Sequence, residues 1–322
     1  MLRNRHVPWV LIGLPLAIGA CTPKPTADPL GRSYAGDPRW RAERTMQRQL
    51  ARDIVRIAPY QGGYPRATRQ ENCVDPRNDH KLEVSLPWPD AGSIVVDLPE
   101  ALIAGATWLF LAHRDALDPT TRRFSDLPTV TWTVHPDGHM RFERILPDNV
   151  TFAVSAVPHH GYVDLTLTVD NQGRIGLFDL RAQVCVLLKD AVGFSQRTRY
   201  NKHYVVGDRI VPFADVRNRS PDAGRYGTQI NGGPPRVDAP LIAVRAESGD
   251  RAIVMVWQAC FALPCRAANP CLHGDPKLND CPVGEQVTAR GRIYFVNGDL
   301  TRFYQALRVL GRDLLPIIEG TR

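Results

Sequence analysis

The chain has 322 residues, 43% of them hydrophobic and 23% charged, with a formal net charge of +7. These proportions exclude a disordered chain and supply enough apolar surface for one large domain or two smaller ones. The positive excess is local: Arg39, Arg41, Arg44, Arg48, Arg52, Arg56, Arg66 and Arg69 face only Glu43 and Asp53 between residues 39 and 69. No base-stacking motif lies among these arginines, so a nucleic-acid partner is not expected.

In chain order, Arg3 and Arg5 precede an apolar run of 14 residues from Val7 to Ala20, closed by Ile18-Gly19-Ala20-Cys21. A bilayer-spanning helix needs about 20 apolar residues. The run therefore reads as a cleaved signal peptide (1–20) of the bacterial lipoprotein kind, with lipidation at Cys21. That implies an exported chain, lipid-anchored in the cell envelope; Thr22 after the cysteine points toward the outer membrane. Residues 21–36, with Pro23, Pro25, Pro29 and Gly31, read as a tether.

Asp37 offers an N-cap and Pro38 suits the first helical position, which predicts a basic amphipathic helix over 37–58. Met46, Leu50, Ile54 and Ile57 would form its docking stripe, opposite Arg41, Arg44, Arg48 and Arg52. Residues 59–322 are expected to form a mainly β domain, an antiparallel β-sandwich or supersandwich with a C-terminal amphipathic helix. Val130, Trp132 and Val134, a turn at Pro136-Asp137-Gly138, then Met140 and Phe142 predict a hairpin. Leu98 to His113 reads either as a helix or as a buried strand pair. Val163, Leu165, Leu167 and Val169 alternate with polar residues as a half-buried strand, and Val184, Val186 and Leu188 are expected to extend the same sheet. Leu241–Ala246 and Arg251–Gln258 predict another hairpin and Val287–Val296 a further strand. Asp299 then caps a helix whose Leu300, Phe303, Leu307, Leu310 and Leu314 form an apolar stripe.

Six cysteines remain beyond Cys21: Cys73, Cys185, Cys260, Cys265, Cys271 and Cys281. Their number and the expected oxidising compartment read as disulfides, and the spacing from Cys260 to Cys281 is not that of a zinc ribbon. A Cys271–Cys281 bridge would present His273 and Asp275 on a rigid exposed loop. There His273 would move a proton with Asp275 orienting it. Asp275, Asn279 and Asp280 are the alternative, a calcium set, although no complete calcium-binding pattern is present; no cofactor is implied. Further candidates for acid–base work are His160 and His203. Lys189 or Arg199 is the candidate for steadying a substrate carboxylate, and Tyr162, Tyr204, Trp257 and Tyr294 for contacting sugar, with core packing the leading reading for Trp257. No Gly-x-Ser-x-Gly, Gly-x-x-x-x-Gly-Lys, Gly-x-Gly-x-x-Gly or His-Glu-x-x-His motif occurs.

Tyr162 to Gly173, continued by Arg181-Ala182-Gln183-Val184-Cys185, resembles the β-supersandwich of galactose-mutarotase-like proteins, which implies a sugar-directed fold but carries over no catalytic residue. Cys271-Leu272-His273-Gly274-Asp275-Pro276, with Pro282-Val283-Gly284-Glu285 and Arg290-Gly291-Arg292-Ile293-Tyr294-Phe295, is similar to an uncharacterised family of exported bacterial proteins. Two functions are therefore carried forward. One is a membrane-anchored carbohydrate-active enzyme, of polysaccharide lyase, epimerase or hydrolase type, using histidine. The other is a non-catalytic lipoprotein that binds a glycan, an acidic one included, or an envelope protein. The sequence leaves oligomeric state open.

Overall fold

The computed structural model describes residues 36–68, 73–196, 201–219, 224–228, 236–264 and 269–314. Cys21, Arg199 and Cys265 lie outside them, as do the signal-like segment and all of the tether except Gly36. No described helix is long and apolar enough to cross a membrane.

Residues from Asp37 onward form one unit built on two antiparallel sheets. The larger has nine strands in the order Arg209–Pro212, Lys202–Val206, Leu241–Arg245, Arg251–Trp257, Glu285–Asn297, Tyr162–Asn171, Val150–His159, Met140–Leu146 and Thr133–Val134. The smaller runs Arg56–Pro59, Leu82–Ser85, Ser93–Ala104, Leu180–Leu187 and Cys271–His273, with Thr107–Leu111 paired to Ser93–Ala104. Alternation turns Val163, Leu165, Leu167 and Val169 of one sheet and Ile94, Val96, Ala182, Val184 and Val186 of the other into a shared core. This is the expected mainly β sandwich.

The outer face of the large sheet is covered by α1 (Pro38–Gln49) and α3 (Leu300–Leu314); a single-turn α2 (Phe213–Val216) lies between them in sequence. Asp37 accepts from the Arg39 amide at 2.9 Å, and Asp299 from the Thr301 amide at 2.8 Å, so both expected caps form. Leu300, Phe303, Leu307 and Leu310 pack with Ala42 and Met46 of α1 on Leu241, Val254, Val256 and Val296.

Two expectations need correction. The first helix ends at Gln49 rather than Ala58, because the next residues pair with strands: Ala51 N–H donates to Phe295 O at 2.9 Å, and Val55 N–H to His159 O at 3.0 Å. Ile54 is consequently exposed rather than part of a helical stripe. The strand carrying Val184 and Val186 lies in the smaller sheet, not beside Val163–Val169. Asn171 redirects the chain there, its buried amide donating to Ile175 O at 2.9 Å and to Cys281 O at 2.8 Å. Of the two readings left open for Leu98–His113, the strand pair holds. Its strands turn at Gly105, whose φ of 55° explains the glycine.

Candidate functional site

Two features outside the core carry chemistry: a buried polar cluster on the outer face of the small sheet, and an open groove beside α1 and α3.

The cluster follows from strand register. Cys185 lies opposite Asp97 on one neighbouring strand and His273 on the other; Leu187 lies opposite Val95 and Cys271. Alternation places all six side chains on one face. Arg66, only 6% exposed, lies over that face and pairs with Glu100. Its Nη1 is 3.8 Å from Cys185 Sγ. Glu100 Oε2 is 3.6 Å from His273 Nε2, and His273 Nδ1 is 3.2 Å from Asp275 Oδ1, which also accepts the Val184 amide at 3.1 Å. Asp97 binds Lys81 Nζ at 2.6 Å and His80 Nε2 at 2.7 Å.

Burial penalises every charge in this cluster, and pairing decides the outcome. For Glu100 burial pushes the carboxyl up, but Arg66 and then His273 outweigh it and hold it below its ordinary value. Asp97 is held far down in the same way, chiefly by Lys81 and the His80 hydrogen bond. His273 would be lowered by burial, yet Cys185 and Asp275 raise it well above an ordinary imidazole. Burial lifts Asp275.

His273 and Asp275 thus meet as the sequence suggested, but 4% and 0% exposed rather than on an exposed loop. Cys73, Cys185, Cys260, Cys271 and Cys281 are buried and unbridged. Cys271 packs with Cys185, whereas Cys281 Sγ approaches Val169 O and Glu285 O at 3.8 and 3.2 Å, so no Cys271–Cys281 loop closes. The calcium set also disperses: Asn279 and Asp280 are at the surface, Asp280 accepting the Asp179 amide at 2.8 Å, while Asp275 faces His273.

The remaining candidates do not converge. His160 sits in the turn before Tyr162 and donates through Nδ1 to Arg52 O at 2.7 Å. His203 donates to Asn201 O at 3.1 Å and is lowered by burial. Three strands separate its strand from Tyr162–Asn171, roughly 19 Å at the usual strand spacing. Lys189 is exposed and donates to Tyr64 O at 3.4 Å. Tyr204 and Tyr294 are each 0% exposed, which corrects their assignment to a sugar surface, whereas Trp257, also 0% exposed, packs in the core as its apolar strand implies. Tyr162 is held between His159, stacked at 4.5 Å, and the Arg292 guanidinium at 4.2 Å, so its ring faces are occupied.

Sequence reasoning missed Arg66, Asp97, Glu100, His80 and Lys81. Asp97 and Glu100 did leave a trace, as acids interrupting the apolar run Ile94-Val95-Val96-Asp97-Leu98-Pro99-Glu100-Ala101-Leu102.

The groove encloses about 750 Å³ and is lined by Arg41, Thr45 and Arg48 of α1 and by Arg302 and Gln305 of α3. Its one acid, Asp299, is engaged in capping α3 and lies 3.7 Å from Arg302 Nε. Gln49 donates to the Asp299 carbonyl at 2.6 Å and fixes one end of the wall. Arg48 has no ion-pair partner among the described residues. The groove is therefore basic and open, with Pro38, Ala42, Ala306 and Val309 adding apolar wall between the polar groups.

No family model and no curated protein matches the chain. Among solved structures it is similar to a putative kojibiose phosphorylase from the human microbiome, at 8% identity and a TM-score of 0.39, over 80% of this chain but only 28% of that one. It is also similar to a putative aldose 1-epimerase from Escherichia coli K12, at 11% identity and 0.34, over 63% and 83% of the two chains. A galactose mutarotase related enzyme from Lactobacillus acidophilus gives 8% and 0.34, over 71% and 98%. Likenesses this distant do not decide what the chain binds or whether it catalyses a reaction.

Proposed function

We propose that this protein is exported, tethered through a lipid on Cys21, and holds an acidic glycan in the groove between α1 and α3 without turning it over. The observation that carries the reading is the groove lining. Arg41, Arg48 and Arg302 offer planar forks that match carboxylates, and Thr45 and Gln305 both donate and accept, as sugar hydroxyls require. Its volume of about 750 Å³ is within the usual range for small-ligand sites, about 300–1,000 Å³. The dispersal of His160, His203 and His273 over separate parts of the fold favours binding over catalysis.

One observation favours the enzyme reading, a lyase, epimerase or hydrolase: His273 stands between Asp275 and Glu100, a constellation suited to proton transfer. A panel of acidic polysaccharides (polygalacturonate, alginate) and neutral dextran separates the two. Saturable binding of the acidic polymers, with neither unsaturated products nor new reducing ends, is the expected result. Product formation that disappears in His273→Ala would transfer the assignment to the enzyme.

A further inference from the structure

The outer face of the small sheet carries a second chemistry, independent of the glycan reading. We propose that Cys185, Cys271 and His273 bind a zinc ion that clamps the Cys271–His273 edge strand to Leu180–Leu187.

One Sγ from each cysteine and a ring nitrogen of His273 lie within 4.8 Å of one another, and all three residues are buried. Zinc–sulfur bonds of about 2.3 Å and zinc–nitrogen bonds of about 2.0–2.1 Å set tetrahedral ligand–ligand distances of roughly 3.5–3.8 Å. Closing the triangle therefore needs only small side-chain movements. Register makes the set by a simple rule: Cys271 and His273 are two apart on one strand, and Cys185 is directly opposite His273.

The same register argues against a disulfide. Cys271 is opposite Leu187, so the two cysteines are diagonal neighbours. Diagonal positions are about 7–8 Å apart, at or beyond the roughly 7 Å that a bridge can span without backbone movement. Two sulfurs side by side, unbonded and joined by an imidazole, are a metal arrangement more than a redox pair.

The surroundings supply the outer shell that zinc ligands require. Asp275 Oδ1 meets His273 Nδ1 at 3.2 Å, which leaves Nε2 as the ligand atom, and Arg66 Nη1 is 3.8 Å from Cys185 Sγ, placed to stabilise a thiolate. Glu100 Oε2 lies 3.6 Å from Nε2. On binding, both thiols and the His273 imidazolium each give up a proton to solvent, so that His273 ligates as neutral imidazole while keeping its Nδ1 proton on Asp275. Two thiolates balance the dication, and Arg66 balances Glu100. Thiolate donors select zinc over magnesium or calcium.

The test is zinc stoichiometry of the purified full chain, measured by elemental mass spectrometry alongside non-reducing peptide mapping. About one zinc per chain is expected, lost in Cys185→Ser and Cys271→Ser but retained in Cys260→Ser, whose buried thiol lies outside the set. If the serine variants do not fold, the wild type still decides. Cobalt substitution should give a thiolate-to-cobalt absorption band, and Asp275→Asn should weaken zinc affinity about 10–100-fold. A Cys185–Cys271 linked peptide without zinc, or zinc unaffected by any of these changes, would overturn the proposal.

Discussion

Asp79 shows how much one side chain can organise. Its carboxylate accepts the Val130 amide at 2.8 Å, binds Arg144 Nη2 at 2.6 Å and lies 3.3 Å from both Arg77 Nη2 and His80 Nδ1. Arg144 and Arg77 in turn donate to the carbonyls of Pro128 and Leu127, so this one acid pins the 124–130 loop to the edge of the large sheet. Burial pushes the Asp79 carboxyl up, but the hydrogen bonds from His80 and Val130 and the charge of Arg144 hold it far below its ordinary value. The folded value being depressed, its stabilisation is complete above the unfolded value of about 3.9 and is lost as pH falls through the folded one. Asp79→Asn should cost about 3 kcal/mol at pH 7, with a gap from wild type that narrows below about pH 4. Urea midpoints at pH 7 and pH 3 check this; a gap that widens in acid would contradict it. None of this network is visible in sequence, since Asp79 and Arg144 are 65 residues apart. Trp257 was more legible, because an indole in an unbroken apolar strand packs inward; in the fold Gly291 leaves room for its ring, and a Cβ there would lie 2.5 Å from it.

At the scale of elements, what the sequence disclosed was period, and what it concealed was destination. Alternation identified Val163–Val169 as a strand with one buried face, and the 3.6-residue stripe identified α3. The same alternation in Val184 and Val186 could not say which sheet would receive them, because that depends on Asn171 reaching Cys281 O, 110 residues away. The first helix was overextended for a related reason: Leu50, Ile54 and Ile57 kept a helical spacing while their backbone was drawn into bridges with Val296 and His160 and into a strand. Tertiary hydrogen bonds outweighed local propensity. The docking of α3 should depend on its stripe, so Leu307→Ala, at a position 0% exposed, should cost about 2–5 kcal/mol, whereas Val309→Ala, at a half-exposed position, should cost under 1. Chemical denaturation reads both, and equal losses would show that the stripe does not hold the helix.

For the whole molecule, two sheets enclose an apolar core and leave the polar chemistry to their outer faces: a buried cysteine–histidine cluster on the small sheet and a basic groove where two helices cover the large one. The arginine excess that stood out in composition became in part the wall of that groove, with Arg41 and Arg48 on α1, while Arg66 went to the buried cluster; Arg302 joined from α3, which no local pattern could have foretold. A site assembled from arginines around an open groove should be screened by salt, so glycan binding should weaken as ionic strength rises. Calorimetric titration of polygalacturonate into the full chain and into its Arg48→Ala/Arg302→Ala variant tests the groove as a glycan site. Saturable binding to the wild type is expected, with affinity falling tenfold or more in the variant for the loss of two charge-assisted contacts. Absence of binding, or equal affinity in the two proteins, would contradict that assignment.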